Sequence, residues 1–220
     1  MDTKVPLMKQ KDYFLFSDIN KSLSQTKEKN PLIFSIDPGL KGAIVCYWHN
    51  KSQLWHREMP IVKKITMLDG AEKEKHLVDL WKLIDWINEK LLLTNTQEIF
   101  IVLEKPIKLG MSPLRTYTTS VLEVGKFLAL FETHFMHVQK HLSFVAPNAW
   151  SAGFQERMST GQPYHRDVKR NRLEILCHEF DFDRSLFFTS QGRFKDGICD
   201  ACSMLLWFLG LAQKKNVVCL

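Results

Sequence analysis

Among the 24 aspartates and glutamates of this 220-residue chain, most fall on helix faces or in loops, where an acid is simply a solvated charge. Three places break that pattern. Asp37 ends the apolar run Leu-Ile-Phe-Ser-Ile and precedes Pro-Gly, and Glu104 ends Ile-Phe-Ile-Val-Leu and precedes Lys-Pro. Each projects from the last position of an apolar strand, where a carboxylate without a partner is costly or takes up a proton. The third place is Asp196-Gly-Ile-Cys-Asp200, where a spacing of four puts both acids on one helix face. N-capping and the helix dipole account for Asp196 but less well for Asp200, one turn in beside apolar residues. If the strands of Asp37 and Glu104 are neighbours, a helix lying over the sheet brings all four acids together. Carboxylates with no Cys or His among them suit hard cations, Mg²⁺ with Mn²⁺ as a substitute, rather than zinc. Two such ions about 3.5–4 Å apart activate a water and stabilise the leaving oxygen of a phosphodiester. Asp37, Glu104, Asp196 and Asp200 are therefore the expected catalytic and metal-ligating residues.

The elements that must position these acids follow from periodicity. Residues 1–30 form an extension of uncertain order, and a packed domain is expected over 31–220. Leu32–Asp37, Gly42–Trp48 and Gln53–Met59 read as three strands of a meander. Between His76 and Leu91 the apolar period becomes 3.6, predicting a helix with Leu77, Leu80, Trp81, Ile84, Ile87 and Leu91 on one face. Trp81 and Trp86 are read as core residues. Glu98–Leu103 is a β-rich run suited to a strand covered on both faces. A loop over 105–113, a helix over 119–133, a strand over 136–146 and helices over 166–180 and 197–211 complete the chain, with a short helix starting at Pro147. The order βββ-α-β-α-β-α-α describes an α/β fold, a mixed sheet with helices on its faces.

Composition bounds the function. With 45% apolar and 11% aromatic residues the chain can bury a core, and 30 Lys and Arg against 24 acids leave a formal charge of +6. A net positive charge favours a polyanionic partner. The five cysteines are odd in number and sit among apolar neighbours, as reduced core thiols do, and the N-terminal segment lacks the apolar run of a signal peptide. A soluble intracellular protein of cytoplasm, nucleoid or an organelle is expected. Cys199-x-x-Cys202 lacks the second ligand pair that zinc needs, and His134, His137 and His141 do not share one strand face.

Four motifs in order resemble the RuvC-type Holliday-junction resolvases: Ser-Ile-Asp37-Pro-Gly, Leu-Glu104-Lys-Pro, Val145-Ala-Pro-Asn-Ala-Trp150, and Lys195-Asp196-Gly-Ile-Cys-Asp200-Ala. In form they resemble the plant chloroplast resolvase and its bacterial and phage relatives more than RuvC itself. The resemblance spans roughly 32–211. It implies a ribonuclease H-like sheet of five strands, four-way junction DNA as partner, a homodimer, and two Mg²⁺ ions per site held by Asp37, Glu104 and Asp200, with Asp196 the fourth carboxylate. The closing acids are three apart in RuvC and four apart here, which leaves open which of Asp196 and Asp200 does more. RuvC carries an aromatic wedge shortly after its strand-four Glu. Here Ile107, Leu109, Met111 and Tyr117 are the candidates. Lys105, Lys108 and Arg115 of the same stretch are expected beside the scissile phosphate, and Arg166, Lys169 and Arg170 on a phosphate-gripping stripe. The alternatives are a ribonuclease H-like nuclease on a hybrid or flap, or a junction-binding protein without catalysis.

Overall fold

The computed structural model describes residues 31–51, 53–68, 71–106, 114–155, 172–177 and 182–210. Strands β1 (Leu32–Ile36), β2 (Ala43–Trp48) and β3 (Gln53–Glu58) form the expected antiparallel meander. Strand β6 (Glu98–Glu104) lies parallel to β1, and β7 (Gln139–Val145) parallel to β6, giving the sheet order β3-β2-β1-β6-β7. This five-stranded mixed sheet, flanked by helices, is the α/β architecture expected from the sequence.

Two corrections concern the segment after β3. Strands β4 (Ile61–Leu68) and β5 (Ala71–Val78) form a separate two-stranded antiparallel sheet that the periodicity did not foretell. The helix expected from His76 therefore begins later, as α1 (Leu80–Thr94), with Asp79 as N-cap accepting from the Lys82 amide at 3.2 Å and Asn95 closing it in the left-handed region. The 3.6 period was real, but its first turn belongs to a strand. Trp86 is buried as expected, whereas Trp81 is 69% exposed with its ring edge-on to His134, so it is not a core residue.

Alternation along the central strands sorts the core into two layers. Leu32, Phe34 and Ile36 of β1 and Ile99, Ile101 and Leu103 of β6 pack against α1 and α2 (Leu114–His134), through Leu83, Ile87, Phe127 and Phe131. Ile33 of β1 and Phe100 and Val102 of β6 face the other way, onto α4 (Asp196–Phe208), α3 (Pro147–Gln155) and the helical residues 172–177. Helix α4 is buried nearly all round, as an apolar helix in a third layer must be. Cys46, Cys199 and Cys202 are buried, and burial pushes the thiol of Cys202 well above its ordinary range. No helix among the described residues is long and apolar enough to cross a membrane.

His56 pairs in register with Val45 and so lies on the α4 face. Burial first, then the Lys195 ammonium, lowers its pKa below the usual 6.5, and its buried Nδ1 finds no hydrogen-bond partner among the described residues. The unfolded chain binds this proton more readily, so the histidine's contribution is present above pH 6.5 and lost as pH falls through the depressed folded value. We expect His56→Gln to flatten that part of the stability profile. Denaturant unfolding across this window checks it, and an unchanged slope would show that His56 is not held neutral.

Candidate active site

The parity that sorts the core also places the acids. Ile33, Ser35 and Asp37 share one side of β1, and Phe100, Val102 and Glu104 share one side of β6. Both rows face α4, since Ile33, Phe100 and Val102 pack in its core layer. The parallel pairing of the two strands runs to Ile36 opposite Leu103. Asp37 directly follows the last residue of β1 and Glu104 is the last residue of β6, each one step beyond the final pair of this register. The β1–β2 turn fixes Asp37: its amide donates to the Ala43 carbonyl at 3.0 Å, and the Gly42 amide to the Gly39 carbonyl at 2.9 Å. A Cβ on Gly42 would meet the Asp37 carbonyl and lie 2.8 Å from the Gly39 nitrogen, so only glycine closes this turn.

Two contacts anchor α4 over these strand ends. The buried Ser35 hydroxyl donates to the Ala201 carbonyl at 2.8 Å, tying the helix to the strand that ends in Asp37. Gly197 abuts the same turn so closely that a Cβ there would meet the Lys41 carbonyl and lie 2.6 Å from Gly42 carbons. The structure thus brings the first turn of α4, with Asp196 and Asp200, to the end of the sheet that carries Asp37 and Glu104.

Electrostatics tie the acids together. Burial, then the charge of Asp200, raises the Glu104 pKa above the ordinary carboxylate range, while Trp150 and Arg172 act against the rise. The Trp150 indole favours the ionised Glu104 by proximity, but its buried N–H makes no well-formed hydrogen bond. Arg172 holds Asp200: its Nη1 lies 2.6 Å from Oδ1, its side chain is 9% exposed, and its guanidinium stacks 4.8 Å above the Trp150 ring. A buried guanidinium needs such partners. By donor chemistry the four acids fit a hard divalent cation. As placed, no three His, Cys, Asp or Glu side chains among the described residues close into a metal cage, and Arg172 occupies an oxygen of Asp200.

Arg172 and Trp150 are the site residues that sequence reasoning missed in these roles. Arg172 ends the basic run His165–Arg172, whose other cations suit phosphate contacts, and Trp150 ends the Val145–Trp150 motif. The signal was an arginine passing directly into the apolar Leu173. We expect Arg172→Met to lower the melting temperature of the metal-free protein, because Asp200 keeps its partly buried charge beside Glu104 without a counter-ion. Added Mg²⁺ should recover part of the loss. Differential scanning calorimetry with and without the ion checks this, and a melting temperature equal to wild type would discount the pair.

Of the other candidates, Lys105 is exposed directly beyond Glu104, its amide donating to the Val145 carbonyl at 2.8 Å. Tyr117 is partly buried on α2. Lys108, Arg166, Lys169, Arg170, Ile107, Leu109 and Met111 lie outside the described residues, as does the side chain of Arg115. Residues 1–30 and Cys219 do too. The histidines do not gather: the His141 ring stacks on Phe100 with Nε2 at 2.8 Å from Glu98, and His134 meets Trp81.

The chain matches no protein-family model and no curated protein. Several solved structures are similar to it at low sequence identity. One is the yeast mitochondrial Holliday junction resolvase Ydc2, with a TM-score of 0.46 and 13% identity over 90% of this chain and 88% of that one. Others are the fowlpox virus resolvase (TM-score 0.39, 12% identity, 82% and 99% covered) and Thermus thermophilus RuvC in complex with a Holliday junction substrate (0.38, 10%, 83% and 96%). All three are Holliday junction resolvases.

Proposed function

We propose that this chain is a metal-dependent, structure-selective endonuclease that resolves four-way DNA junctions, acting as a homodimer with one site for each of two opposed strands. What supports the reading is that Asp37 and Glu104 lie one step beyond the last pair of two adjacent parallel strands, whose α4-facing side meets that helix through the Ser35–Ala201 bond and the close approach of Gly197 to the Lys41–Gly42 turn. A half-buried Glu104 whose pKa is raised by burial and by the charge of Asp200, with Lys105 exposed directly beyond it, suits a site that handles phosphate through positive ions.

Asp37, Glu104 and Asp200 would hold Mg²⁺ or Mn²⁺, with Asp196 the fourth carboxylate. When bound, such ions supply a nucleophilic water at neutral pH and charge stabilisation at the leaving oxygen. The chain's own residues prepare the site. The β1–β2 turn and Gly197 set the spacing between strand ends and helix. Arg172, clamped between Asp200 and Trp150, neutralises Asp200 until a cation takes that role. Lys105, exposed beyond Glu104, is placed to neutralise a backbone phosphate.

Incubation of a synthetic four-way junction with the protein in Mg²⁺ tests the reading, beside a linear duplex, an RNA–DNA hybrid and a flap. Paired, symmetric nicks in the junction are the expected product. Cleavage of the hybrid or flap alone would move the substrate class. Junction binding that persists in EDTA with no product in Mg²⁺ would leave a binding protein.

A further inference from the structure

The β4–β5 hairpin stands apart from the main sheet and sorts its charges by face. In its register Lys63 lies opposite His76, Ile65 opposite Glu74 and Met67 opposite Glu72 on one face; Val62 lies opposite Leu77, Lys64 opposite Lys75 and Thr66 opposite Lys73 on the other. The first face is internally neutralised, since Glu74 takes Lys63 at 3.1 Å and His76 at 2.6 Å. The second carries Lys64, Lys73 and Lys75, and among the described residues it has no acid and no ion pair to these lysines. Lys64 and Lys75 are directly opposed, with Cβ atoms about 5 Å apart in such a pair, and like charges so placed are destabilising.

The hairpin can ill afford that repulsion. A two-stranded sheet is marginal in water, and this one keeps most of its length exposed, joining the core near Val78 and Met59. Three lysines on one face, with no acid to relieve them, complement a polyanion.

We propose that the Lys64, Lys73 and Lys75 face of the hairpin is a contact site for the phosphate backbone of a duplex DNA arm. The inference rests on the reading of the chain as acting on DNA, and adds a surface away from the carboxylates. Repeated phosphates offer one partner per lysine, and strand spacing of about 6.8 Å between Lys73 and Lys75 keeps their ammonium groups on separate phosphates. The opposite face offers phosphate no unpaired lysine, since its Lys63 is taken by Glu74. The arm therefore presents one side only, and its contact is blind to base sequence.

Salt-dependent fluorescence anisotropy tests this with a labelled linear duplex and a labelled four-way junction, both in EDTA. The triple variant Lys64→Ser, Lys73→Ser, Lys75→Ser should lower the slope of log affinity against log salt by about 2–3, at roughly 0.9 per phosphate contact. Lys63→Ser, on the neutralised face, should leave it unchanged, and a triple Lys→Arg variant should keep the wild-type slope. Circular dichroism confirms that the variants fold. An unchanged slope in the folded triple variant overturns the proposal, as does an equal loss with Lys63→Ser. Weakened binding to anionic phospholipid vesicles with the DNA slope intact also overturns it. A chain that cuts no junction in Mg²⁺ but loses this slope on the duplex would fail the nuclease reading and support the hairpin contact.

Discussion

Asp37→Asn is expected to reduce junction cleavage in Mg²⁺ by on the order of 10³-fold or more while leaving the fold intact. Changes to residues that merely orient metal ligands cost ~10–100-fold, and loss of a charged ligand on the central strand should exceed that. The amide is isosteric, so the turn bonds from Asp37 to Ala43 and from Gly42 to Gly39, all made by backbone groups, survive the change. The amide keeps the shape and loses the charge that attracts a cation. Two measurements separate this from a folding defect. The melting temperature of the metal-free variant should match or exceed wild type, because one of several mutually repelling acids is gone, and Mn²⁺ binding followed by electron paramagnetic resonance should weaken sharply. Retained cleavage within ~10-fold of wild type would remove Asp37 from the metal site and with it the proposed mechanism.

Gly197→Ala should be the most damaging small change outside the acids. Alanine is the better helix former by about 1 kcal/mol in a helix interior, so propensity alone predicts a gain. The added Cβ, however, meets the Lys41 carbonyl and lies 2.6 Å from Gly42 carbons. Those obstacles are backbone atoms of a turn that itself tolerates no Cβ at Gly42, so no rotamer change relieves them. Overpacking typically costs ~1–3 kcal/mol and more when the backbone must move, which outweighs the propensity gain. We expect destabilisation of about 3 kcal/mol, a melting shift of roughly 6–12 °C for a chain of this size. The displacement also separates Asp196 and Asp200 from Asp37, so cleavage should fall more than stability does. A melting temperature at or above wild type would mean that α4 does not sit against the turn.

The carboxylates were legible because each breaks a strong local rule, an acid ending an apolar strand or lying inside an apolar helix. That Asp37 and Glu104 fall at the same end of the sheet followed from β1 and β6 being parallel neighbours. The β4–β5 hairpin was not foreseen, although Asp69-Gly70 between two alternating runs is a hairpin signal. The 3.6-period apolar pattern that begins at His76 masked it, since Leu77 and Val78 fit both a strand end and a helix start. A basic run rich in arginine reads as one surface, so nothing local marked Arg172 as the member that turns inward.

By itself the sequence determined the α/β class, the three-strand start and the apolar final helix, because alternation and period are local properties of the chain. Only the tertiary structure decided that Asp200 is held by Arg172 over Trp150, that Gly197 seats α4 against the Asp37 turn, and that three lysines share one hairpin face. Those facts depend on which distant segments meet and at what register, which packing of the whole chain sets.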